Sequence, residues 1–163
     1  MFTRPPAKSR FFGFDALDER RSVIVSLTQA GKNLTAAEVR QLSRALFEDE
    51  DVSRDEACAL FQLDRAQDAC CPEWTEFFVD CLTDHVVWQS SPTGIANSEQ
   101  TNWLLREAEG APSLAVFALL ANVLAEADRA PYTLIDAVLA RLETPAVRAA
   151  LELADESPLR ARK

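Results

Sequence analysis

Glycine is scarce in this chain, with four in 163 residues. No Gly-rich turn offers a set of backbone N–H groups to a phosphate or an oxyanion. The nucleotide-binding motifs and Gly-x-Ser-x-Gly are absent as well. Basic charge is also in deficit. Lys and Arg number 17 against 26 Asp and Glu, for a formal net charge of -9 and a pI near 4.6. Such a chain repels phosphate backbones and anionic lipid, which argues against nucleic-acid and membrane-surface binding. The basic ends, "RPPAKSR" and "PLRARK", read as solvated tails. Long apolar runs are missing too. The longest, "LAVFALLANVLA", falls well short of the roughly twenty residues that span a bilayer. No apolar stretch follows "MFTRPPAKSR", so no secretory signal is expected. A cytoplasmic location follows, in which Cys58, Cys70, Cys71 and Cys81 are reduced thiols.

What is present is alanine, leucine and helix punctuation. Hydrophobic residues make up 48% of the chain and charged ones 26%, ordinary proportions for one globular domain of this length. The composition favours helices, since alanine and leucine lose little entropy there. The sequence predicts an all-α fold, a single compact bundle of six to seven helices built around a central apolar helix at about 72–89. An N-terminal arm over 1–33 precedes the helical domain of 34–155, and 156–163 form a frayed tail. In the arm, "SVIVSL" has the β-branched look of a short strand. The arm is expected to be irregular or a short strand, laying Phe11, Phe12, Phe14 or Val23 and Val25 on the helical body.

Helix starts can be read from Thr35 onward. Thr35 and Glu38, and again Ser53 and Glu56, stand at capping-box spacing. Pro72 suits a first helical turn, Asn97 caps the next helix, and Thr144 with Pro145 opens a last short one. Inward stripes follow three-and-four spacing. They are Val39, Leu42, Leu46 and Phe47; Ala57, Leu60 and Phe61; Trp103 and Leu104; Leu114, Phe117, Leu120, Ala121 and Leu124; and Leu134, Ile135, Val138, Leu139 and Leu142. The segment from Trp74 to Trp88 is apolar around much of its circumference, so other helices should wrap it. Two stretches, "ALFEDEDVSRDEACALF" and "HVVWQSSPTGIANSEQTNWLL", share the plan of apolar helix end, polar loop and capped helix start. They suggest two helix–loop–helix pairs about a pseudo-dyad.

"FFVDCLTDHVVWQ", "GIANSEQTNWLL", "LLANVLAEA" and "YTLIDAVLARLE", within Val52 to Glu143, resemble segments of an uncharacterised bacterial family of helical proteins. More distantly, the paired helix–loop–helix pattern is similar to the TerB-like tellurite-resistance domains. That resemblance implies an all-helical fold with an acidic, metal-binding loop region. "EDEDVSRDE" has the acid of such a loop but no glycine, and "SSPTG" has the glycine but no acid. Neither resemblance implies catalytic residues.

Cys81 and His85 stand four apart on one helix and so share a face. Zinc needs four converging ligands. Cys70 or Cys71 would supply a third and Cys58 a fourth. No Cys-x-x-Cys pair is present, and buried free cysteine is common in helical cores, so the leading expectation makes Cys58 and Cys81 small core hydrophobes, with no cofactor. The loop carrying Glu48, Asp49, Glu50 and Asp51 fails the EF-hand pattern, having Arg54 where glycine belongs and Leu60 where glutamate does. Trp74 and Trp103 are expected in the core, and Trp88, beside a polar loop, on a partner surface. The leading functional reading is a non-enzymatic interaction or regulatory module that takes a protein partner or a second copy of itself. A metal-binding or metal-sensing protein comes second, and a small-molecule hydrolase third.

Overall fold

The computed structural model describes residues 12–47, 51–111 and 113–156. It is all-helical. Eight α-helices follow one another among these residues: α1 (Phe12–Ala30), α2 (Ala36–Phe47), α3 (Arg54–Arg65), α4 (Pro72–Thr83), α5 (Ser98–Ala108), α6 (Leu114–Glu126), α7 (Tyr132–Leu142) and α8 (Pro145–Glu156). A π-helical turn, Asp84–Trp88, continues α4 directly. No strand occurs among the described residues; a parallel bridge between Ile95 and Arg129 is the nearest approach.

The helix starts are built as their sequences dictate. Thr35 accepts from the Glu38 amide at 3.3 Å, and the Glu38 carboxylate accepts from the Thr35 amide at 2.9 Å. Ser53 and Glu56 complete the same reciprocal box on α3. The Asn97 side chain accepts from the Gln100 amide at 2.8 Å. The Thr144 hydroxyl donates to the Arg141 carbonyl at 2.6 Å, while the Thr144 carbonyl accepts from the Arg148 amide at 3.1 Å as α8 begins.

The N-terminal arm needs correction. Its described part is neither irregular nor a strand but the helix α1, which packs on α3 and α2. A strand through "SVIVSL" would place Val23 and Val25 on one face. The helix instead turns Ile24 wholly inward, with Arg20 one turn before it and Leu27 one turn after, and leaves both valines exposed. Burial of one stripe outweighs the weak strand preference of β-branched residues. Phe11 lies outside the described residues, as do the side chains of Phe12 and Phe14.

Arg20 also carries a charge into the core. Its Nε lies 3.1 Å from Glu56 Oε1, with the two side chains 7% and 2% exposed. The contact is an ion pair rather than an aligned hydrogen bond. Nη2 of Arg20 donates to the carbonyls of Leu46 and Asp51 at 2.8 and 3.2 Å. The far oxygen of Glu56 is held by Ser53. One guanidinium thus fastens α1 to the end of α2, to the loop before α3 and to the first turn of α3.

A second knot lies at the end of α3. Asp64, only 2% exposed, accepts from the Trp74 indole N–H at 2.9 Å and from the Ser113 hydroxyl at 2.6 Å. Ser113 is the N-cap of α6 and Trp74 lies in the first turn of α4. The carboxylate thus takes side-chain partners from the starts of two helices. From there α4 runs between α2 and α6, burying Trp74, Phe77, Phe78, Cys81 and Leu82. Trp74 is fully buried and Trp103 nearly so.

In urea denaturation, Arg20→Leu should lose about 3–5 kcal/mol of stability, because it strands a buried carboxylate. The double change Arg20→Leu with Glu56→Met should cost less than that single change. A double-variant loss equal to the sum of the Arg20→Leu and Glu56→Met losses would mean that the pair is not coupled.

Candidate functional site

The side chains singled out in the sequence go to separate places. Cys81 is fully buried on α4, and burial followed by the nearby Asp84 and Glu56 carboxylates pushes its thiol up to about 12. Cys70 donates through sulfur to Asp64 at 3.7 Å, and burial together with that carboxylate likewise pushes it up to about 12. Cys71, half-buried, is the N-cap position of α4. Cys58 donates to Glu107 at 3.7 Å; burial raises its pKa, an effect that the Trp103 indole opposes. No group of three or more His, Cys, Asp and Glu converges on a common point among the described residues. Cys70, Cys71, Cys81 and His85 are thus not brought together.

His85 stands where α4 widens into the π turn. Its Nδ1 lies 2.8 Å from the Val52 carbonyl, which can only accept, so Nδ1 carries the proton and Nε2 is the bare nitrogen. The ring meets Trp103 edge-on at 5.4 Å between centroids. Gln89, one turn on, accepts from the Val52 amide at 3.1 Å and donates to Asp84 at 2.7 Å. The π turn thereby clips the loop before α3. Burial lowers the pKa of His85, opposed in part by its bonds to Val52 and Gln89. Of the acidic loop, Glu48, Asp49 and Glu50 lie outside the described residues, and Asp51 is exposed.

Trp88 is 46% exposed. Its indole N–H donates to Glu126 at 3.0 Å. Beside it Gly94 adopts φ +80°, and a Cβ there would stand 3.1 Å from the Asp128 carboxylate and 3.7 Å from the tryptophan ring. The turn from the π segment to α5 thus requires glycine at this point.

The feature that periodicity misread is on α6. The expected inward stripe included Leu114, Phe117 and Leu124. The structure buries Leu120 as expected, adds Ala115, Val116, Leu119 and Val123, leaves Leu114 exposed, and leaves Phe117 and Leu124 half-buried against the core. α7 errs in the same way: Leu134 and Val138 are buried, whereas Leu139 is exposed. The surplus apolar side of α6 forms the floor of a groove of about 440 Å³. Leu114, Phe117 and Ala118 of α6 line it with Val147, Ala150 and Leu151 of α8, and Pro72, Thr75 and Glu76 of α4 close its side. Leu114 and Leu151 are 47% and 48% exposed there. A larger groove of about 920 Å³ between α5 and α7 is lined by Glu99, Arg106, Glu109 and Arg141 among others. Arg141 is already committed, donating to the carbonyls of Ala108 and Ala111 at the end of α5.

No helix among the described residues is long and apolar enough to cross a membrane. Comparison of the chain with family models, with curated proteins and with solved structures gives no match.

Because folding lowers the pKa of His85, the unfolded chain takes up its proton first as pH falls. Stability should therefore decline below the ordinary histidine value of 6.5 and level off once the folded protein also protonates. His85→Phe should flatten that part of a stability-against-pH curve measured by urea denaturation. An unchanged curve would remove His85 as its source.

Cys70, although exposed, should react slowly with iodoacetamide at neutral pH in the folded protein, because it is mostly protonated. Asp64→Asn should accelerate that reaction, followed by peptide mass spectrometry. A fast wild-type rate would contradict the raised pKa.

Proposed function

We infer that this protein is a non-enzymatic helical interaction module that receives a protein partner in the groove between α4, α6 and α8. One observation carries the reading: Leu114 and Leu151 lie about half exposed on either side of a concave, almost wholly apolar surface. Exposed apolar side chains scattered singly are ordinary, but a contiguous concave patch of them favours a partner. The wall is firm. Val116, Leu119 and Leu120 on the opposite side of α6 are fully buried, so the groove is presented by a helix fixed from behind. Binding then requires little ordering of the receiving surface.

A metal-dependent role of the kind a TerB-like kinship would imply has no converging ligand set among the described residues to support it. A hydrolase would need a nucleophile beside a base. His85 is instead engaged with Val52 and Trp103, and burial with nearby carboxylates disfavours the thiolates of Cys70 and Cys81.

Leu114→Asp with Leu151→Asp tests the reading. Both positions are substantially exposed, so the variant should fold within about 0.5 kcal/mol per site of the wild type. Cross-linking mass spectrometry in host lysate, run on tagged wild type and variant side by side, should show a partner that the variant loses. A partner set that is the same for both would refute the groove as the binding surface.

A further inference from the structure

The groove has a charged flank as well as an apolar floor. On α4, Glu73, Glu76 and Asp80 follow one another three and four residues apart, so their side chains form one row along the helix. Glu76 lines the groove itself, Glu73 stands one turn before it, and Asp80 continues the row one turn beyond. The row covers about 10 Å along the helix, two turns, given a rise of 1.5 Å per residue. Among the described residues, no basic side chain lines the groove. The nearest on α8, Arg148, one turn before Leu151, is turned toward Glu143 at 3.8 Å. On the far side of Leu151 the next residue is Glu152, also exposed.

We propose that the occupant of this groove is a basic amphipathic helix from another protein. It would set leucine-like side chains at three-and-four spacing between α6 and α8 and lay a flanking row of Lys or Arg along Glu73, Glu76 and Asp80. The proposal rests on the interaction-module reading and names the partner class for the same surface. Charge selects this occupant over the others. A second copy of the chain would bring a further net charge of -9 to an acidic flank. An anionic lipid surface would be repelled for the same reason. A helix laid in a groove presents its apolar anchors and its flanking charges at the same spacing as the row on α4. The row fixes orientation and partner choice, and the leucine contacts supply most of the affinity.

The test uses the full chain and fluorescence anisotropy with designed peptides of about 18 residues, long enough for several helical turns. Three peptides differ in one respect each: leucine face with a lysine flank, leucine face with a glutamate flank, and alanine face with a lysine flank. The leucine–lysine peptide should bind, with both other peptides roughly tenfold or more weaker. Glu73→Gln/Glu76→Gln/Asp80→Asn, made at exposed or half-buried sites, should weaken it by a similar factor, and added salt should reduce the difference between the two flanks. If both leucine peptides bind alike and Leu114→Asp/Leu151→Asp abolishes both, the groove is a docking surface but the basic-partner proposal is wrong. If the leucine–lysine peptide binds the Leu114→Asp/Leu151→Asp variant as well as the wild type, its attraction is unspecific and the proposal fails. If no peptide binds, the proposal fails too, and sedimentation decides the underlying reading. A dimer that Leu151→Asp dissociates preserves an interaction surface occupied by a second copy, whereas a monomer removes both ideas.

Discussion

A carboxylate with almost no access to water holds three helices in register. Asp64 ends the buried face of α3, and the first turns of α4 and α6 both point at it. Burying a charge is costly unless its lone pairs are met. Here an indole N–H, a hydroxyl and a thiol meet them. Remove that group and Trp74 loses its partner while Ser113, still capping α6, loses its anchor. The arrangement fixes the distance between α4 and α6 at their start. The rest of α4 then follows, with Phe78 and Trp74 packed at 5.5 Å between centroids and Phe61 set edge-on to Phe78.

Arg20 and Glu56 do for α1 what Asp64 does for the other two. The two knots lie at opposite ends of α3, so this helix is clamped at both. The chain between carries Ala57, Leu60, Phe61 and Leu63, all with no exposed surface. An amphipathic helix positioned by its polar ends, with its apolar middle packed, leaves little freedom for its neighbours to slide. α3 therefore serves as the reference against which α1, α4 and α6 are set.

Much of this could be read in the residues. Helix content, the boxes at Thr35 and Ser53, the helix start at Pro72, the cap at Asn97, and the burial of Trp74 and Trp103 follow from local chemistry, and local chemistry is what a sequence displays. Three things could not be read. The β-branched run at "SVIVSL" is locally ambiguous, and only the presence of α3 beneath it decides for a helix with Ile24 inward. Asp64 looks like any acidic residue near a helix end, and nothing in "FQLDRAQDACC" announces that Trp74 and Ser113 will reach it. The facing of α6 was invisible for the opposite reason. "LAVFALLANVLAE" is apolar apart from Asn122 and Glu126, so periodicity has little polar face against which to orient it. Leu114 and Phe117, assigned inward by spacing, line the groove instead. Where the pattern fails, here, is where the molecule keeps apolar surface that its own core does not need.

The widened turn at Asp84–Trp88 has a consequence for chain length. The Gln89 amide bonds to the Asp84 carbonyl five residues back, at 2.9 Å, where an α-helix would reach four. Shortening this stretch by a single residue would restore ordinary helix geometry with its backbone ladder intact. It would also rotate everything downstream by about 100°, the angle one residue subtends in an α-helix. Gln89 would swing away from Val52, and Trp88 from Glu126. The spelling of this segment can drift, but its count cannot. Insertions and deletions here should be tolerated far less than substitutions, the reverse of what holds for a surface loop.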